Sequence, residues 1–138
     1  MKLQIMGCHA ATPRFVTQPS AQVLQAGKHM VLIDCGEGTQ RQMMRYSTGF
    51  NVSSLFITHV HADHILGIPG LLRTMGLQGH REPVDLFGPP GSASTLHDAV
   101  HLGTHRVPFP VRIREVAAGE EVARKGYRVR AFHVSHGI

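Results

Sequence analysis

Residues 58–64 read Thr-His-Val-His-Ala-Asp-His, which places four metal-ligand side chains, His59, His61, Asp63 and His64, within six consecutive positions. At the end of a strand, His59 and His61 stand at i and i+2 and point the same way in extended backbone. Asp63 and His64 then fall in the following turn and can address a second location. Two imidazoles for one ion, with a carboxylate and an imidazole for its neighbour, suit zinc or a similar borderline metal. The plain alternative is a solvated His-rich loop. The tight spacing, just past the buried-type strand Ser-Leu-Phe-Ile-Thr, argues against it.

The elements that must hold this run follow from hydrophobic patterning. A short strand over 2–6 opens the chain, and a Gly/Pro/Ser-bearing loop follows. Apolar runs at 21–25 and 30–34 flank Ala26-Gly27-Lys28-His29, which predicts a hairpin with a short Gly-containing turn. Helix is expected over 39–46, with Thr39 as its cap, and over 65–77, with Pro69 in the first turn, where proline is tolerated. Strands are expected at 54–58, 83–87, 111–116 and 127–133, and a further helix at 92–102 capped by Ser92 or Ser94. Strands alternating with helices after an initial hairpin predict helices layered on a sheet.

Bulk composition agrees with one domain over 1–138. The hydrophobic fraction is 42% and the charged fraction 17%, globular values without the charge excess of disorder. No apolar run approaches the ~20 residues that span a bilayer, and no signal peptide is read at the N-terminus, so no membrane partner and a cytoplasmic location are expected. Cys8 and Cys35 lack CxxC spacing and are expected to be buried small hydrophobes. Lys and Arg number 14 against 9 acidic residues, a net charge of +5 that suits a polyanionic partner. The 11 histidines are the stronger anomaly, since histidine is the commonest metal ligand.

The run THVHADH has the form HxHxDH and resembles the hallmark of the metallo-β-lactamase superfamily. Its flanks resemble the ribonuclease Z family within it. The stretch from Leu32 to Gln42, LIDCGEGTQRQ, is similar to that family's DCGEGTQRQ segment; His64 to Leu72 resembles its HxxGLPGLL continuation; and Leu86 to Gly91 resembles its YGPxG strand end. The resemblance implies an α+β fold, the metallo-β-lactamase αββα sandwich, of which 1–138 is the N-terminal half: a mixed sheet with helices on one face. It implies a zinc-dependent endoribonuclease that cuts precursor tRNA at its 3′ end, with two zinc ions and a nucleophilic water between them. Such an arrangement is chemically apt, because two metals ~3.5–4 Å apart can clamp the attacking and leaving oxygens of an in-line displacement.

Carried over by position, His59 and His61 hold the first zinc together with His136, and Asp63 and His64 hold the second. Asp63 also accepts a proton from the nucleophilic water. Ser135 stands where the family has an acidic residue, so His133 competes with His136. The family's bridging Asp and final His lie later than residue 138, which implies that the 138 residues alone are inactive. An uncovered inner sheet face bearing Leu32, Phe56 and Val129 is expected to drive self-association as a homodimer.

Asp34 is expected to orient a ligand histidine through its second ring N–H. Glu37 lies nearby by the same resemblance. Arg41, Arg45, Arg73 and Arg81 either line a phosphate path or are scattered surface charges. His97, His101 and His105 fall at i, i+4 and i+8 on one helix and its end, a spacing that can bind metal but more often marks a solvated face. Met43, Met44 and Met75 are expected to fill the core. Two other function classes compete: a metallo-β-lactamase-fold hydrolase of esters, sulfate esters or cyclic phosphodiesters, and an inactive metal-binding half-domain. The Gly36-Glu37-Gly38-Thr39-Gln40 flank favours the nuclease.

Overall fold

A computed structural model of the chain describes residues 1–15, 17–104 and 106–136. The expectation placed on His105 lies outside the described residues.

Strands Lys2–Gly7 (β1), Ala21–Ala26 (β2) and His29–Ile33 (β3) form an antiparallel meander. Gly27, at φ 61, makes the left-handed turn between β2 and β3 that the sequence predicts. Helix Thr39–Arg45 (α1) leads to strand Val52–Phe56 (β4), which lies parallel to β3. Two helices follow, a single turn over Ala62–Ile65 (α2) and the longer Ile68–Leu77 (α3), then strand Val84–Gly88 (β5). Helix Ala93–Val100 (α4) connects β5 to strand Val111–Glu115 (β6), again parallel. The result is a mixed six-stranded sheet ordered β1-β2-β3-β4-β5-β6.

Helices α1, α3 and α4 cover one face. Met43, Ile68, Leu71, Leu72, Met75, Leu96 and Val100 from the helices pack on Met30, Leu32, Val84 and Leu86 of the sheet. Period-2 alternation sends the intervening residues to the other face. There a second hairpin, Glu121–Arg124 (β7) with Tyr127–Arg130 (β8), sits on the sheet. Tyr127 packs against Val31 and Ala26, while Val122 packs against Phe87 and Val116. The Tyr127 and Ser54 hydroxyls hydrogen-bond at 2.9 Å beneath it.

Several expectations change. Leu32 belongs to the helix-side core, Phe56 is packed under the β7–β8 hairpin, and Val129 is on the hairpin itself and packs toward the sheet, so the second face is covered at its centre. What stays open on it is the β1 edge, where Leu3 and Ile5 are 57% and 55% exposed. The single helix expected over 65–77 is two helices, broken at Gly67 ahead of Pro69. Thr39 does not cap α1: its hydroxyl donates to Gly36 O at 2.6 Å, and the cap position is Gly38 at φ 84. Ser92 occupies the cap position of α4, yet its hydroxyl turns back to Pro89 O at 2.6 Å. Cys8 is exposed while Cys35 is buried. Met44 is 56% exposed because it lies on the outer side of α1, whereas Met43 and Met75 are in the core.

Candidate metal centre

The first histidine, His59, stands three residues beyond β4, and the backbone leading to it is held by the sheet. Ile57 N–H donates to Phe87 O at 2.8 Å, continuing the ladder, and Thr58 N–H is taken by Asp34 Oδ1 at 2.8 Å. His61 is extended (φ −61, ψ 143) and serves as the N-cap position of α2. Asp63 and His64 lie on α2 itself rather than in a turn. The α2 end is clamped to the β3–α1 loop by two backbone hydrogen bonds of 2.8 Å, Cys35 N–H to His64 O and Gly67 N–H to Cys35 O, and Gly36 N–H to Ser20 O at 3.0 Å ties the same loop to the start of β2. Only glycines fit this crossing. A Cβ on Gly67 would lie 2.2 Å from Gly36 O, and one on Gly36 would lie 2.4 Å from Asp63 O.

Asp34 is the hub of the site. It is 3% exposed and sits at φ 58, a left-handed conformation that Asp tolerates better than most residues. Its carboxylate accepts His64 Nδ1–H at 2.7 Å, Ser20 Oγ–H at 3.2 Å, and the Thr58 hydroxyl at 3.0 Å from each oxygen. The Thr58 hydroxyl has one proton, which goes to Asp34, so its oxygen accepts from His59 Nδ1 at 3.1 Å. The network therefore fixes both rings with the proton on Nδ1, and the lone pairs of His59 Nε2 and His64 Nε2 face the opening.

Three ring nitrogens converge there. His59 Nε2 lies 3.0 Å from His61 Nδ1, which in turn lies 3.3 Å from His136 Nε2. Among the described residues, His59, His61 and His136 are the group whose ligand atoms all lie within 4.8 Å of one another. His133 is exposed and is not part of this group. Beside it, His64 Nε2 faces Asp63 Oδ2 at 3.6 Å, and the His59 and His64 rings are 4.0 Å apart. The five residues named from sequence thus form two adjoining clusters, one of three imidazoles and one of a carboxylate and an imidazole. Imidazole nitrogens with their far N–H engaged, next to a carboxylate, are the donor set that zinc and similar cations take.

Electrostatics agree with crowding at the centre. Burial lowers the His59 pKa, and the neighbouring His64, His61 and His136 lower it further. For Asp63 burial pushes upward, but the Ala11 N–H at 3.0 Å and the His64 ring outweigh it, leaving the carboxyl below its usual range. The Ala11 contact, Ser20 and Thr58 were not singled out in the sequence. A backbone donor carries no residue-type signal. Thr58 had one: a hydroxyl immediately before the first histidine, placed to reach its Nδ1.

The remaining candidates lie apart from this centre. Glu37 and Arg41 are exposed on the β3–α1 loop and α1, and Arg45 is exposed with its guanidinium 5.8 Å from the Tyr46 ring centroid. Arg73 donates to Val100 O and Leu102 O at the end of α4, and Arg81 donates to Gly76 O and His80 O. Arg73 and Arg81 therefore tie down helix ends. His97 and His101 are exposed on α4 and its C-cap.

Residues 29–138 match the family model described as the β-lactamase superfamily domain. The chain belongs to that superfamily. It is 49% identical to a ribonuclease Z of Myxococcus xanthus across 100% of this chain and 45% of that protein. It also superposes on human tRNase Z, short form, with a TM-score of 0.76 and 34% identity, covering 85% of this chain and 46% of that one. The metallo-β-lactamase fold protein YhfI of Bacillus subtilis matches with a TM-score of 0.71 and 17% identity over 91% of this chain and 49% of that one, a likeness of fold alone. The chain has the metallo-β-lactamase fold, which implies divalent-metal binding. It spans about 45% of the length of the Myxococcus relative, matching its N-terminal half. Among the described residues no helix is long and apolar enough to cross a membrane.

Proposed function

We propose that residues 1–138 are the N-terminal half of a zinc-dependent ribonuclease Z that cleaves precursor tRNA at its 3′ end. The observation that carries this reading is the convergence of His59, His61 and His136 beside the Asp63–His64 pair, in a chain similar to ribonuclease Z along its whole length. His59, His61 and His136 hold one zinc, and Asp63 with His64 holds a second, completed by ligands from residues beyond 138. When bound, the ions polarise the phosphodiester and make water a competent nucleophile near neutral pH. Asp34 keeps the His64 proton on Nδ1, and through Thr58 it does the same for His59, so both present lone pairs to the centre. Asp63, docked by Ala11 N–H, is the carboxylate that takes a proton from the attacking water. The net charge of +5 suits a polyanionic RNA, and we place the enzyme with that substrate in the cytoplasm. Pairing of two copies is part of the same reading. It is supported by the apolar β1 edge, where Met1, Leu3 and Ile5 are exposed, and sedimentation of the purified protein tests it.

The test of the activity uses the full-length protein that carries this chain. Asp63→Ala should lower precursor-tRNA cleavage by roughly 10²–10⁴-fold, the usual contribution of a positioned proton acceptor. His59→Ala/His61→Ala should lower its zinc content. Near-normal turnover by the first variant, or equal zinc in the second, overturns the assignment.

A further inference from the structure

Helix α4 carries a second histidine pair that the centre above does not use. His97 and His101 are four residues apart, lie side by side on the last turn and its C-cap, and are both exposed. Their rings are within 26° of parallel with centroids 4.0 Å apart. His101 Nδ1 lies 2.8 Å from His97 O, and a carbonyl oxygen only accepts. That nitrogen therefore carries the proton, and Nε2 keeps its lone pair. His97 Nδ1 faces the Asp98 carboxylate at 3.9 Å, which favours the same tautomer. An imidazole that ligates a metal ordinarily donates its other N–H to a carbonyl or carboxylate, which is the arrangement the His101 ring shows, with the Asp98 carboxylate standing on the corresponding side of His97.

The end of α4 is also held against fraying. Arg73 of α3 donates to Val100 O at 2.9 Å and to Leu102 O on either side of His101, so His101 sits on pinned backbone. Two imidazoles one helical turn apart on one face can close on a single cation. Because both rings are exposed, closure asks only for side-chain torsions and moves no packed element. We propose that His97 and His101 form a two-histidine chelate for a borderline divalent cation, separate from the candidate centre at His59. Imidazole donors select Cu²⁺ most strongly, with Ni²⁺ and Zn²⁺ weaker, and water fills the remaining positions.

Equilibrium dialysis of the purified chain against Ni²⁺ tests this, alongside His97→Gln, His101→Gln and the double variant. The wild type should hold one more equivalent of Ni²⁺ than the double variant. Each single variant should weaken that equivalent by roughly tenfold or more, because a chelate needs both rings. Circular dichroism should show the wild-type helix content in all variants, since neither ring is packed. The extra equivalent is counted as a difference between proteins, so the result does not depend on how much metal the His59 cluster holds. Equal Ni²⁺ content in wild type and double variant overturns the proposal. So does a His97→Gln chain that binds as tightly as wild type.

Discussion

Replacing Asp34 by Asn tests the hub of the site with little disturbance of shape. Asn is isosteric and tolerates the left-handed backbone that residue 34 adopts at φ 58, so the β3–α1 turn is not strained. Hydrogen-bond sense alone changes. Thr58 N–H cannot rotate or change tautomer, so the Asn carbonyl must stay on it, in the place of Oδ1. The amide NH₂ then replaces Oδ2, where it meets His64 Nδ1–H across what was a 2.7 Å hydrogen bond. Two donors cannot share that contact. His64 must move its proton to Nε2, the nitrogen that faces Asp63 Oδ2 at 3.6 Å, and so loses the lone pair it offers a metal. Loss of such an orienting partner typically weakens metal binding by roughly 10–100-fold, about 1.4–2.8 kcal/mol. The Ser20 hydroxyl loses its acceptor as well, and breaking this part-buried hydrogen bond to a charged group should lower folding stability by about 1–3 kcal/mol. Nitrogen-15 NMR of the His64 ring reads the tautomer directly, a zinc competition titration of the full-length protein reads the affinity, and urea denaturation reads the stability. A variant that keeps the His64 proton on Nδ1 and binds zinc like wild type refutes the reasoning, whatever happens to its stability.

Gly67→Ala should lower stability by about 1–3 kcal/mol, the range for overpacking, since the new Cβ meets Gly36 O at 2.2 Å and Cys35 Sγ at 3.0 Å. A thermal melt matching wild type would show that the crossing yields. The folded 138-residue chain should consume one equivalent of a thiol reagent at pH 8, at exposed Cys8, and two after denaturation, because burial pushes the Cys35 thiol up to about 12; two fast equivalents in the folded chain would contradict this. The Asp63 carboxyl is lowered in the folded chain, so its docking to Ala11 contributes stability above the ordinary carboxylate range and loses it as pH falls through the lower folded value. Hydrogen exchange at the Ala11 amide should therefore quicken, beyond the intrinsic pH effect, on acidification of the metal-free protein, and Asp63→Asn should abolish that extra dependence.

The grouping of the candidate site was legible where residue type and spacing carry it. His59, His61, Asp63 and His64 stand out because four ligand types in six positions at a strand end have few structural uses. Asp34 was legible as an orienting group, and the structure puts it on His64 at 2.7 Å. What stayed hidden depends on conformation rather than on composition. The Ala11 N–H reaches Asp63 only because the loop after β1 folds back over 52 residues of sequence separation. The choice between His133 and His136 needed the course of the chain after β8, which brings His136 Nε2 to 3.3 Å from His61 and leaves His133 outside the cluster.

The fold shows the same division. Apolar runs and strand-type segments located β1 to β6 and β8, whereas β7 was missed. Its sequence, Glu-Val-Ala-Arg, has one buried side chain, Val122, and so presents almost no hydrophobic period. The signal lay instead in the turn. Lys125-Gly126, with Gly126 at φ 91, is a two-residue hairpin connection between Val122 and the Tyr127–Val129 pair. Missing that hairpin is also why the second sheet face was expected to be bare. Once β7 pairs with β8, Tyr127 is delivered onto Val31 and its hydroxyl onto Ser54, a buried polar residue that otherwise has no reason to sit mid-strand in β4. Ser54 is 2% exposed, and its need for a partner is itself evidence for the hairpin. A buried serine in a strand of apolar neighbours should therefore be taken, in reading such a sequence, as a pointer to a tyrosine or backbone group arriving from the opposite layer.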